Sequence, residues 1–419
     1  MREMKDSGIE WVGKVPATWK IMPNKYIMTK KKVIKEVYDG ENIISLSMNG
    51  VIIRDLEAGG KMPKTFDGYQ IVYPGNLLMC LFDYDVTPRC IGLIKDYGVT
   101  SPAYSQFVMN NGNYSGYYYY YYLMIDHTKA LLHLAKNLRH SLTEEQLGAI
   151  LAPVPTIEEQ QRIVDFLDFK CSKIDATAED IQKEITLLED YKKSLVYNVI
   201  SNGINHSIYS TESDEVWGNL PQGWKLVDIK YLFEIVKRIA GKEGYDVLSV
   251  TQKGLKIKDI TSGDGQLADN YCGYQFVYPT DYVMNHMDLL TGWVDCSELF
   301  GVTSPDYRVF RLIDKSAHNL VYYKYVMQCC YMNKIFYSLG QGVSNLGRWR
   351  LQTSSFNNFK IPVPPKDEQD EIADYLDTKC SEIDSLIADK KRQLDILADY
   401  KKSLIYEYVT GKKEVPVNE

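Results

Sequence analysis

Apolar and polar residues follow two different periods along this chain. After Pro155, apolar or small residues fall at Leu167, Cys171, Ile174, Ala178, Ile181, Ile185, Leu188, Leu195 and Val199, a four-three spacing interrupted at Lys192. That spacing is a heptad seam and predicts a long helix that pairs with another. A second seam runs through Leu376, Cys380, Ile383, Ile387, Leu394, Leu397, Leu404 and Tyr408, with Lys390 and Lys401 at the two remaining seam positions. Both segments start after prolines and carry acids in the first turn, Glu158 with Glu159 and Asp367 with Glu368, where the helix dipole favours negative charge. A helix of roughly 40 residues is about 60 Å long. Such a helix outruns any small domain and needs a partner, and the other copy is the nearest candidate.

Elsewhere the apolar runs are short. Asn42 to Leu46, Gln70 to Tyr73 and Val247 to Val250 are broken by Gly, Pro and Asn, which predicts short strands mixed with some helix, an α+β or mainly β arrangement. Strand pairing is not legible from these runs. Six consecutive tyrosines, Tyr117 to Tyr122, lead into Leu123-Met124-Ile125 and correspond to Tyr322-Tyr323-Lys324-Tyr325. Core packing is the expected role for them, with stacking on nucleic-acid bases the alternative.

The chain repeats itself. Residues 153–201 align without a gap onto 362–410, with 23 of 49 positions identical, including Asp190-Tyr191-Lys192-Lys193-Ser194-Leu195 against Asp399-Tyr400-Lys401-Lys402-Ser403-Leu404. Upstream, Gly68-Tyr69-Gln70-Ile71-Val72-Tyr73-Pro74 recurs as Gly273-Tyr274-Gln275-Phe276-Val277-Tyr278-Pro279, and Gly98-Val99-Thr100-Ser101-Pro102 as Gly301-Val302-Thr303-Ser304-Pro305. The predicted order is a globular domain over 1–152, a helical spacer over 153–205, a second globular domain over 206–361 and a helical spacer over 362–419.

At 419 residues, with 45% hydrophobic and 25% charged residues, the chain can bury ordinary cores and is neither a single small module nor globally disordered. It shows no apolar run of signal-peptide or membrane-span length, so a soluble, cytoplasmic protein is expected. The eight cysteines form no C-x-x-C pair, which argues for buried free thiols over a disulfide framework or a zinc site.

A net charge of -7 speaks against nucleic acid, but the deficit is local. It falls on the helical segments, with 6 basic against 10 acidic residues in 153–205 and 9 against 14 in 362–419, while the globular segments are near neutral. Those segments carry basic clusters suited to phosphate contacts and, for arginine, to guanine edges. The clusters are Lys30, Lys31, Lys32 and Lys35; Lys61 and Lys64; Lys237, Arg238 and Lys242; and Lys253, Lys256 and Lys258. Two polar loops hold equivalent places before the long helices and add Lys136, Asn137 and Arg139 in one, and Gln341, Asn345, Arg348 and Arg350 in the other.

Catalytic chemistry is not visible. No G-x-x-x-x-G-K-[ST] phosphate loop, G-x-G-x-x-G turn or Asn-Pro-Pro-aromatic tetrapeptide occurs, and none of the six histidines is spaced as a metal ligand. Asp83 and Asp85 form an acidic pair without a nearby Glu-x-Lys of nuclease type.

Two globular domains, each ending in Pro-x-Pro-x-x-x-[ED]-Gln (Pro153 to Gln160; Pro362 to Gln369) and followed by a helix closing in Tyr-Lys-Lys-Ser-Leu, closely resemble the specificity subunit of type I restriction-modification enzymes. The opening Asp6-Ser7-Gly8-Ile9-Glu10-Trp11-Val12-Gly13 and the later Pro221-x-Gly223-Trp224 are also similar to that family's domain starts.

The resemblance implies a fold of two pseudo-repeated α/β target recognition domains, each followed by a long helix. It implies a non-catalytic reader of an asymmetric, bipartite DNA target, one domain per half-site. The helices would set the gap between half-sites and dock two methyltransferase subunits, with restriction or translocase subunits as possible additions. S-adenosylmethionine, ATP and magnesium would belong to those partners, and no cofactor or metal is assigned to this chain. Because two equivalent docking surfaces on a duplex call for two-fold symmetry, the helices are expected to pair as an antiparallel coiled coil. The alternative is a coiled-coil scaffold or interaction protein without DNA recognition.

Overall fold

A computed structural model describes residues 2–57, 63–135, 140–205, 208–260, 268–341 and 349–416. Contacts divide the chain into two compact units, Met1–Ile181 with Arg392–Glu419, and Gln182–Lys391, so each unit takes part of both long helices.

In the first unit β1 (Met4–Asp6) pairs with β2 (Lys14–Pro16), and β3 (Lys20–Pro23) leads through the one-turn α1 (Asn24–Ile27) into β4 (Met28–Lys31). There follow the hairpin β5 (Ile44–Ser47) and β6 (Gly50–Ile53), then β7 (Gln70–Val72), β8 (Leu77–Met79), β9 (Ile91–Leu93), β10 (Gly98–Thr100) and β11 (Ser105–Met109). Helices α2 (Ser115–Thr128) and α3 (Glu144–Ala149), strand β12 (Leu151–Val154) and helix α4 (Ile157–Asn202) complete the series. The centre is a four-stranded antiparallel sheet in the order β4-β11-β8-β9, with β7 paired to β10 and β3 to β12 beside it.

The second unit repeats this series nearly element for element. It runs β13 (Tyr209–Asp214), β14 (Gly218–Pro221), β15 (Lys225–Asp228), α5 (Ile229–Leu232), β16 (Phe233–Val236), the hairpin β17 (Leu248–Thr251) and β18 (Gly254–Ile257), and β19 (Gln275–Val277). It continues with β20 (Tyr282–Met284), β21 (Val294–Cys296), β22 (Gly301–Thr303), β23 (Arg308–Leu312), α6 (Leu320–Met332), α7 (Ile335–Ser338), α8 (Thr353–Asn357), β24 (Lys360–Val363) and α9 (Lys366–Val409). Its sheet order, β16-β23-β20-β21, is that of the first unit. The α+β reading of the sequence is the fold observed, and the two units are copies of one topology.

The tyrosine run is core. It lies on α2, where Tyr117, Tyr118 and Tyr120 to Tyr122 are buried and Tyr119 is half-buried. A buried phenol keeps its proton and looks for an acceptor. Tyr120 donates to Asp168 Oδ1 at 2.6 Å and Tyr117 to the carbonyl of Val409 at 2.7 Å. Burial pushes the pKa of both phenols well up. The second unit reuses the device, with Tyr325 donating to Asp377 Oδ1 at 2.8 Å. Gly116 permits the close approach of α2 to α4, since a Cβ there would meet Val164 Cγ1 at 2.9 Å.

The repeated Glu-Gln at the start of each long helix has a mechanical explanation. The Trp19 indole donates to Glu159 Oε2 at 2.8 Å, and the Trp224 indole to Glu368 Oε2 at 2.9 Å. The next residue is a buried glutamine in both copies. Gln160 accepts the Tyr114 amide at 2.8 Å and donates to the Pro155 carbonyl at 3.0 Å; Gln369 accepts the Asn319 amide at 2.9 Å and donates to the Pro364 carbonyl at 2.9 Å. Each glutamine thus satisfies two main-chain groups and ties the tyrosine-bearing helix to the head of the long one.

The long helices pair in opposite directions, as the symmetry argument requires. In the first unit Phe166 meets Tyr408, with ring centroids 4.4 Å apart, and Lys401 Nζ lies 2.6 Å from Asp175. In the second unit Lys390 pairs with Glu184 and Lys192 with Asp384. Ascending numbers on α4 meet descending numbers on α9 in both. The seam positions from Leu167 to Val199 and from Leu376 to Tyr408 are buried or half-buried, the three seam lysines being half-buried with their ammonium groups paired.

Candidate nucleic-acid interface

The basic residues singled out from sequence divide into those whose charge is spent inside the protein and those left outward. In the first unit, Lys35 is bonded to Glu41 at 2.5 Å and Asp39 at 3.0 Å. Those carboxylates raise the Lys35 pKa, and the lysine holds that of Glu41 down to about 2. Lys30 pairs with Glu144 across 114 residues, and Lys31 sits 3.6 Å over the ring of Tyr73. Lys32 and Lys64 are exposed.

In the second unit Arg238 is joined to the buried Asp281 at 2.9 Å and stacks over Tyr278 at 4.8 Å, so its guanidinium braces the sheet. Lys237, Lys242, Lys253 and Lys256 are exposed, and Lys258 is half-buried. Gln341 and Arg350 form an antiparallel bridge, and both are exposed. Lys61, Lys136, Asn137, Arg139, Asn345 and Arg348 lie outside the described residues.

The structure gathers one group of these residues. On the β17–β18 hairpin, Leu248 and Val250 point into an apolar cluster with Val277, Val283 and Val309. Strand alternation therefore turns Ser249 the other way, with Lys256 directly opposite it in the register. Ser249 and Lys258 line a cleft of about 420 Å³, whose walls include Tyr274, Asn285, Asp288, Asp306 and Tyr307. Lysine, hydroxyl, amide and carboxylate groups in one cleft provide donors and acceptors together, which is what discrimination between base edges demands. Of the described basic residues singled out from sequence, Lys258 alone lines this cleft; Tyr274, Asn285 and Tyr307, which sequence reading missed, come from three separate loops and share no spacing.

The equivalent hairpin of the first unit presents Ser45 opposite Ile52, and the Arg54 amide donates to the Ile43 carbonyl as the Lys258 amide does to that of Val247. The framework is shared, while the outward side chains at matching places are Ile52 and Arg54 in one unit and Lys256 and Lys258 in the other.

Six of the eight cysteines are buried; Cys272 and Cys296 are half-buried, and all eight are free thiols. Among the described residues no three His, Cys, Asp or Glu side chains gather as metal ligands would, and no helix is long and apolar enough to cross a membrane.

Residues 221–395 match the family model of the type I restriction modification DNA specificity domain. The chain is 25% identical over 287 residues to the type I restriction enzyme MjaVIII specificity subunit of Methanocaldococcus jannaschii, an alignment covering 64% of this chain. It spans 63% of that relative's length. Among solved structures, a chain from work on complex assembly and conformational transition of the type I R-M system superposes with a TM-score of 0.68 at 14% identity, over 96% of this chain and 100% of that one. The fold is therefore shared over nearly the whole length, and the family resemblance carried by the motifs stands.

Proposed function

We propose that this chain, which carries the type I restriction-modification DNA specificity domain, is the non-catalytic subunit that selects the DNA sequence at which partner methyltransferases act. The observation behind this reading is the contrast within the repeat. Positions that build the framework are kept in both units: the indole-to-glutamate bond of Trp19 and Trp224, the buried Gln160 and Gln369, and the phenol-to-aspartate bonds of Tyr120 and Tyr325. Along the second strand of each hairpin the outward positions differ, Ile52 and Arg54 in one unit against Lys256 and Lys258 in the other. A reader of two unlike half-sites needs that combination of common scaffold and divergent surface.

A second contrast bears on partners. Leu187 and Tyr191 are exposed on α4, at 68% and 58%, and the matching residues Ile396 and Tyr400 are exposed on α9, at 61% and 54%. An exposed apolar pair kept in both copies lies outside the cores of the units, and it fits a partner that binds twice, one copy per unit. Two methyltransferase subunits fill that role, and any restriction or translocase subunits join the same assembly. S-adenosylmethionine, ATP and magnesium are then bound by the partners.

Base-resolution methylation mapping tests the reading. Cells carrying this chain with its methyltransferase should show a split, asymmetric motif methylated on both strands that disappears when only this chain is deleted. Unchanged methylation after deletion would leave the coiled-coil scaffold reading in its place.

A further inference from the structure

Arg308 opens β23, an inner strand of the second unit's four-stranded sheet, and is 4% exposed. Among the described residues its partners are neutral. Nη2 donates to the Leu351 carbonyl at 3.1 Å and to Thr353 Oγ1 at 3.3 Å, Nη1 lies 3.8 Å from Met284 Sδ, and the guanidinium sits 4.5 Å over the ring of Phe356. A buried cation without a carboxylate is costly, and an apolar residue of similar volume fills such a place more cheaply. Burial, together with the positive charge of Arg350, pulls its pKa down to about 10.

The fold does not require this arginine. In the first unit Ser105 holds the same place, opposite Met79 as Arg308 is opposite Met284, and the same sheet forms.

What Arg308 holds is the residue beside Arg350. The Leu351 amide donates to the His286 carbonyl at 3.0 Å while its own carbonyl accepts from Arg308, so Leu351 is clamped from both sides. One residue earlier, the Arg350 main chain exchanges two hydrogen bonds with Gln341, at 3.0 and 3.1 Å, and its side chain is exposed. Among the described arginines of this unit, Arg238 and Arg311 are committed to Asp281 and Glu234, which leaves Arg350 as the outward guanidinium.

We propose that Arg308 is a positioning residue for DNA recognition by the second unit: through Leu351 it fixes the main chain that presents Arg350 to the duplex. The proposal rests on the DNA-reading function inferred above. It explains why a buried, unneutralised cation occurs in one unit and a serine in the other, since the two units would read different half-sites.

The test uses the full chain assembled with its methyltransferase, binding a pool of randomised DNA duplexes that are recovered and sequenced. Arg350→Ala and Arg308→Met should each weaken selected binding by about ten-fold, the scale of one lost base contact. Both should relax preference at one half-site only, and the double variant should lose no more than either alone. Arg308→Lys, which keeps the charge and one donor, should recover part of the preference and serves as the readout if Arg308→Met fails to fold. Losses that multiply in the double variant, relaxation of both half-sites, or an Arg308→Lys variant no better at the affected half-site than Arg350→Ala would each overturn the positioning role. A wild-type assembly with no sequence preference would instead overturn the DNA-reading function itself.

Discussion

Lys192 Nζ reaches both carboxylate oxygens of Asp384, at 2.7 and 2.6 Å, and Lys401 does the same to Asp175, at 2.6 and 2.7 Å. These lysines occupy matching positions of the two copies of Asp-Tyr-Lys-Lys-Ser-Leu, and the aspartates match as well. A charged residue at a seam position weakens packing but selects the register in which its counter-charge stands opposite. Lys192 with Asp384 and Lys401 with Asp175 do this for the antiparallel arrangement. The coupling energy of Lys192 and Asp384 in a double-alanine cycle should be about 0.5 kcal/mol, as for other exposed pairs, and should shrink in 1 M salt. A coupling that salt leaves intact would mean that the lysine acts through its methylene packing. Thermal unfolding of the four proteins measures it.

Gln369 should be worth more than any of these ion pairs. Replacing it by alanine strands the buried Pro364 carbonyl, at about 1–3 kcal/mol for a group so left, and frees the half-buried Asn319 amide. A destabilisation of about 2 kcal/mol or more is expected for Gln369→Ala, together with faster hydrogen exchange at the Asn319 amide. Gln369→Glu keeps the acceptor but loses the donor, and should recover stability on acidification as the carboxyl regains a proton. Urea unfolding followed at two pH values distinguishes the variants.

The pH dependence of the second unit should be set in part by His286. Burial, then the charges of Arg308 and Arg350, lower its pKa from 6.5 to about 3. The unfolded chain takes up a proton near 6.5 that the folded one refuses, so stability falls as pH drops from about 6.5 towards 3, and is fully present above that window. His127 adds the same sign in the first unit, with its pKa lowered to about 4 by burial. His286→Gln should flatten the dependence of the second unit's unfolding midpoint over this range. A slope that survives the substitution would assign the effect elsewhere.

The exposed apolar pairs predict stoichiometry. Tyr191→Asp and Tyr400→Asp should each yield an assembly holding one methyltransferase in place of two, and the double variant should hold none. Mass measurement of the purified complexes decides this. Loss of both copies in each single variant would mean that the two docking events are not independent.

Much of the architecture is written locally. Heptad spacing, proline before the helix starts and a repeat at constant offset are near-neighbour properties, so the sequence alone determined two long helices, two similar units and the family they resemble. It also located the Glu-Gln motif, though not its task, because Tyr114 and Asn319, whose amides Gln160 and Gln369 accept, lie 46 and 50 residues away.

The tertiary structure decided which charges face outward. Lys30, Lys35 and Arg238 look like free cations in sequence, yet each is satisfied by a carboxylate that folding brings alongside. Arg308 lay unnoticed in a strand, and only packing reveals a buried guanidinium with neutral partners. Helical periodicity depends on residues three and four apart, whereas the fate of a charge depends on what arrives from a distant strand or loop, and no spacing rule encodes that arrival.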